Sequence, residues 1–90
     1  MVKQEEIERV WSLLRVVGAK NFQSIRYGSD FDFNMCGTRV AVIVGSVRAT
    51  FLRRSLDTTQ KTVLGRFVIS SFSEKDAEDM FAALYAMGLD

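Results

Sequence analysis

Residues 39–54 read Arg-Val-Ala-Val-Ile-Val-Gly-Ser-Val-Arg-Ala-Thr-Phe-Leu-Arg-Arg, two alternating runs on either side of Gly45-Ser46. Glycine at the first central position of a two-residue connection marks a type II′ turn, whose twist suits a β-hairpin. Folding about that turn pairs Val44 with Val47, Val42 with Ala49 and Val40 with Phe51, giving one wholly apolar face. The other face sets Ile43 opposite Arg48, Ala41 opposite Thr50 and Arg39 opposite Leu52. Side chains alternate with a period of two, so a one-residue slip would turn the whole apolar set to water. The first face is therefore expected to be core. The second is an apolar strip edged with arginine, which points to a contact surface rather than a catalytic one.

Working outward, residues 3–17 fit an amphipathic helix, with Ile7, Val10, Trp11, Leu14 and Val17 on one stripe. Glu5, Glu6 and Glu8 suit its positive dipole end, and Gly18 is a natural stop. Residues 21–36 change to a period of two: Gln23, Ile25 and Tyr27 share one side, Phe31, Phe33 and Met35 share another, and Gly28-Ser29-Asp30 is turn chemistry between them. Cys36-Gly37-Thr38 makes the turn into the hairpin, and residues 55–60 read as a polar loop. In residues 61–70, Val63, Phe67 and Ile69 are expected inward and Leu64, Arg66 and Val68 outward, while Gly65 suggests a bulge or a close approach by a neighbouring element. Ser73 with Asp76 forms a capping box for a last helix near 73–87, whose stripe is Ala77, Met80, Phe81, Leu84 and Met87 and whose end is Gly88.

The order is α-β-β-β-β-β-α. Strands joined by such short connections must be antiparallel, because parallel pairs need long crossovers. The expected fold is a single α+β domain over residues 1–90, with an antiparallel sheet of four or five strands and a helix at each terminus. Ile7, Trp11, Leu14, Phe81 and Leu84 should pack on Val40, Val42, Val44, Val47, Ala49 and Phe51.

Ninety residues lie near the lower end of what folds unaided, but an apolar fraction of 48% can supply a core. One cysteine and no histidine exclude an intramolecular disulfide and a Cys/His zinc site. No cofactor is implied. The lone cysteine suggests a reducing, cytoplasmic setting. No run approaches the length of a membrane span, and the first residues lack the layout of a signal peptide, so a soluble protein is expected. The net charge of +1 hides a separation: residues 21–70 hold seven basic and three acidic side chains, whereas residues 71–90 hold one and five. The sheet should be basic and the last helix acidic, a separation that steers partners and also suits the dipole of that helix.

Enzyme chemistry finds little support. The commonest general base is missing, and Cys36 has nothing to activate it, so a small buried hydrophobe is its expected role. Asp30 and Asp32 could bring carboxylates together on a strand, but closing the turn and keeping one strand face wet is their expected work. No phosphate-loop, dinucleotide or metalloprotease pattern occurs. Trp11, Met80 and Met87 read as packing.

The arginines say more. Arg39, Arg48 and Arg66 are assigned to the outward face among Ala41, Ile43, Leu52, Leu64 and Val68, and Arg53-Arg54 extends the second hairpin strand. Arginine is favoured where carboxylate or phosphate is bound by a planar fork. A plain solvated face would account for the same residues. An apolar centre with an arginine rim is also ordinary interface anatomy, so the expected partner-binding set is Arg39, Ile43, Arg48, Leu52, Arg53, Arg54 and Arg66, facing an acidic protein. Nucleic-acid binding is the alternative, although most aromatics, Phe22 being the main exception, fall on inward positions, away from any base-stacking role. Pairing of two copies through Ile43, Leu52 and Leu64 is a third. In gross design, a small sheet between terminal helices without catalytic residues, the chain resembles small inhibitors of phages and mobile elements, anti-CRISPR proteins among them, and toxin-neutralising immunity proteins. That resemblance implies a non-catalytic inhibitor or adaptor.

Overall fold

The first helix ends where glycine allows it to. In the computed structural model, which describes residues 3–24, 29–54 and 61–87 without the side chains of Arg54 and Lys61, α1 spans Gln4–Val16 and buries Ile7, Val10 and Leu14. Gly18 has φ +104°, a left-handed conformation in which a side chain would be strained. Its N–H donates to the Arg15 carbonyl at 3.0 Å, and the Ala19 N–H donates to Leu14 at 3.1 Å. This is a Schellman closure, and the buried pair Ala19 and Leu14 supplies its apolar contact.

Five strands follow: β1 Lys20–Ser24, β2 Phe31–Met35, β3 Thr38–Val44, β4 Arg48–Arg54 and β5 Lys61–Val68. They form one antiparallel sheet in chain order, with β1 and β5 at its edges. A short 3-10 turn, Ile69–Ser71, leads into α2, Glu74–Ala86. Both bonds of the expected capping box form: Asp76 N–H to Ser73 Oγ at 3.3 Å, and Ser73 N–H to the Asp76 carboxylate at 3.0 Å. The protein is a single α+β domain in which both helices cover the same face of the sheet. Ile7, Val10, Leu14, Met80 and Leu84 share one buried cluster with Phe31, Phe33, Val40, Val42 and Phe51. Trp11 and Phe81 pack against it, only partly covered.

The aromatic side chains run through this core as a relay. Trp11 stacks on Phe22 with centroids 4.9 Å apart, Phe22 meets Phe33 at 5.3 Å, and Phe33 meets Phe51 edge-on at 6.2 Å. Phe51 then stacks on Phe72 at 5.8 Å. Each such pair adds about 0.5–1.5 kcal/mol beyond the area it buries. A long-range clamp also holds α1 in place. Arg9 donates one guanidinium nitrogen to the Ile69 carbonyl at 2.7 Å and the other to the Phe72 carbonyl at 2.5 Å.

Several expectations need correction, and Met87 is one: it is the C-cap of α2 and is exposed rather than packed. The β3–β4 register is offset by two residues, pairing Val42 with Phe51 and Val44 with Ala49. Gly45 is not among the positive-φ residues, so the II′ conformation is not adopted. Instead its N–H donates to the Arg48 carbonyl at 2.8 Å, moving the bend to Ser46-Val47. The Val47 carbonyl is held by the Ile69 N–H at 2.9 Å, and the Val47 side chain, expected in the core, is 59% exposed. Because the offset is even, every other hairpin residue keeps its face.

In β5, Phe51 pairs with Gly65 but Leu52 pairs with Val63, so Leu64 is the extra residue of a bulge. The bulge exchanges two assignments: Leu64 packs against the core and Val63 turns outward. Gly65 is required there, since a Cβ would lie 2.8 Å from the Phe67 ring. The covering element is a ring of the same strand rather than a neighbour. Finally, Cys36 is exposed rather than buried. With φ +54° beside Gly37 at +76°, it occupies the tight two-residue turn between β2 and β3, where its side chain has no core to enter. The expected positions of Ile25, Tyr27 and Gly28, of residues 55–60 and of Gly88 lie outside the described residues.

Candidate functional site

Strand alternation and the one-sided placement of the helices leave the second face of the sheet without a covering element. Its side chains fall into rows across the strands. One row runs Gln23, Asp32, Ala41, Leu52, Val63. The next, two residues along, runs Ile43, Thr50, Arg66, and beyond it Arg48 faces Val68. The first row therefore grades from polar on β1 and β2 to apolar on β3, β4 and β5. Ile43 is 43% exposed and Val63 44%, while Leu52 and Val68 are half-buried. Ala41 is buried although it belongs to this face, not to the core cluster.

The arginines divide by their occupation. Arg39 is already engaged: its guanidinium pairs with the Asp32 carboxylate, donates to the Gln23 side chain at 3.0 Å and to the Asn21 carbonyl at 3.3 Å. It ties β1, β2 and β3 together across the face and contributes little free charge. Arg48 and Arg66 are exposed, and neither has an acidic partner among the described residues. Arg53 pairs with Val40, in phase with Phe51, so alternation separates it from this set and places it on the helix side. Arg54 pairs with Lys61 along the backbone, and its side chain lies outside the described residues. Of the seven expected partner-binding residues, the sheet thus brings together Ile43, Leu52, Arg48 and Arg66, with Arg39 beside them in a structural bond. Val63 belongs with them too. Simple alternation assigned it inward, and Gly65 was the only signal of the bulge that moves it.

The carboxylates considered for chemistry are occupied. Asp30 accepts the Val44 N–H at 2.8 Å, closing the end of β3, and Asp32 is held by Arg39. Among the described residues no group of three or more Asp, Glu or Cys side chains could hold a metal ion. No helix of the described residues is long and apolar enough to cross a membrane. The aromatic rings of the strands face the helices, including Phe22, which was expected outward but packs on Trp11 and Phe33, so no ring of the described strands lies on the uncovered face to stack a base. No family model, curated protein or solved structure matches this chain.

Proposed function

We propose that this protein is a small non-catalytic binding module, an inhibitor or adaptor, that docks its uncovered sheet face on an acidic surface of another protein. One observation carries the reading. Both helices pack on the same side, leaving Ile43 and Val63 exposed next to two arginines that have no acidic partner among the described residues. An apolar centre loses water on docking, and flanking arginines select the partner by charge. The absence of histidine and the bonded state of Asp30 and Asp32 support a non-catalytic role. A reducing, cytoplasmic setting belongs to the same reading and suits the exposed thiol of Cys36.

Affinity capture from the native host, with wild type, Ile43→Asp and Arg48→Glu, each with and without nuclease, tests the proposal. A nuclease-resistant protein retained by wild type and lost by both variants is expected. A partner bound equally by both variants would end it. Nucleic-acid binding is the second reading, favoured by the same arginines, and salt separates the two. Phosphate contacts release counterions, so two arginines on phosphates would lower affinity for nucleic acid about tenfold between roughly 50 and 200 mM salt, and each further contact about three- to fourfold more. An interface with an apolar centre weakens far less.

A further inference from the structure

We infer that the element seated on this face is an amphipathic α-helix of the partner, presenting two carboxylates one turn apart beside an apolar stripe. The inference rests on the docking reading above and deepens it. Ala41, Leu52 and Val63 occupy three adjacent strands, so their row is about 10 Å across. That is the width of one helix with its side chains, about 10–12 Å. Along the strands the row carrying Ile43 follows about 6.7 Å later, close to the 5.4 Å pitch at which a helix repeats its contacts. Arg48 and Arg66 stand on neighbouring strands as a diagonal pair, since Arg66 faces Thr50 and Arg48 faces Val68. Diagonal neighbours lie about 7–8 Å apart. Carboxylates four residues apart on a helix are spaced about 5–6 Å, and two long guanidinium side chains readily close that difference.

Other occupants fit less well. An added strand needs a regular edge, and both edges are interrupted: β1 by a register break at Asn21, φ +57°, and β5 by the Leu64 bulge. A second copy stacked face to face would have to offer Arg48 and Arg66 an acid from the same rows. The one acidic side chain in the rows of this face, Asp32, is held by Arg39. Nucleic acid would find no stacking ring on the described strands.

The test is a methyl NMR titration of the full chain with three probes. The first is a hydrocarbon-stapled helical peptide of about four turns with a leucine stripe and two glutamates at i and i+4. The second has the same composition with central prolines that forbid a helix, and the third is a mixed-sequence DNA duplex. The stapled peptide is expected to shift Ile43, Leu52 and Val63 saturably, with affinity reduced about tenfold by Arg48→Glu or Arg66→Glu. A stapled peptide with lysines in place of the two glutamates should restore binding to the double variant. Equal binding of the proline peptide at the same methyls would overturn the helix while leaving an acidic-protein face intact. Shifts on this face from DNA alone would overturn both. A face that responds to no probe overturns the helix, and the host capture experiment then decides the docking reading independently.

Discussion

The two faces of this sheet are built from the same strands and differ in what the alternate residues are. Toward the helices stand Phe31, Phe33, Val40, Val42 and Phe51, each almost fully removed from water. Toward solvent stand Asp32, Ile43, Thr50, Leu52 and Arg66, none fully buried. A sheet with one face to cover needs only one helical layer, and this chain supplies two helices for that one face. The second face is thereby released from the demands of the core. Its apolar residues are not needed to hold the fold together, and that is why Ile43 and Val63 invite a functional explanation.

Adjacent residues test this division most sharply. Phe51 and Leu52 are neighbours on β4 that point to opposite sides. Phe51→Ala should cost about 3–5 kcal/mol, a large share of the roughly 5–15 kcal/mol by which a domain of this kind is stable. It empties a site contacted by Phe33, Phe67 and Phe72. Leu52→Ala should cost about 1 kcal/mol, because that side chain is only half-buried and no helix lies over it. Urea unfolding of the two variants gives both values. Equal costs would mean that the outer face is also a core.

The clamp made by Arg9 is a test of how the helical layer is held. Arg9→Ala removes two charge-assisted bonds, taking the guanidinium donor from the Phe72 carbonyl and leaving the Ile69 carbonyl with only the Phe72 N–H at 3.2 Å, an expected loss of about 1.5–3 kcal/mol. Arg9→Lys should recover less than half, since an ammonium cannot span two acceptors as a fork does. Arg48→Ala, an arginine on the uncovered face, should stay within about 0.5 kcal/mol of wild type. If the two arginines prove equivalent, the structural and the free cation have been misassigned.

Much of this contrast was legible in the chain, and the failures share a cause. Helix ends were readable because Ser73, Asp76 and Gly18 act on backbone groups within a few residues of themselves. Faces were readable because alternation is a local property, which survived an even register offset in the β3–β4 hairpin. What could not be read depends on distant partners. The bend at Ser46-Val47 is tied to Ile69, the role of Arg9 depends on carbonyls some sixty residues away, and the β5 bulge is set against Leu52. Gly65 announced an irregularity without saying which neighbour would be displaced. Likewise, Cys36 was judged by the usual burial of its residue type, whereas the φ +54° of a two-residue turn decided its exposure.

The bulge itself can be checked by a pair of substitutions whose order depends on it. With Leu64 packed on the core and Val63 turned to solvent, Leu64→Ala should cost about 1–2 kcal/mol and Val63→Ala about half a kcal/mol or less. Uninterrupted alternation along β5 predicts the reverse order. The two unfolding midpoints therefore distinguish the paired and bulged arrangements without further structure determination.

The smallest expected effect on stability falls at the centre of the uncovered face. Ile43→Thr keeps a β-branched side chain that suits a strand, and it removes apolar surface that is largely in contact with water already. The folded state loses little packing, so unfolding should change by about 0.5 kcal/mol or less. Docking should respond differently, because Ile43 would be desolvated only when a partner covers it, and a hydroxyl at that point would be buried without an assured acceptor. Measured side by side, unchanged unfolding with weakened capture of the host protein is the expected result. A loss of stability matching that of a buried isoleucine would show that something in the folded chain already covers this face, and the distinction between the two sides of the sheet would fail.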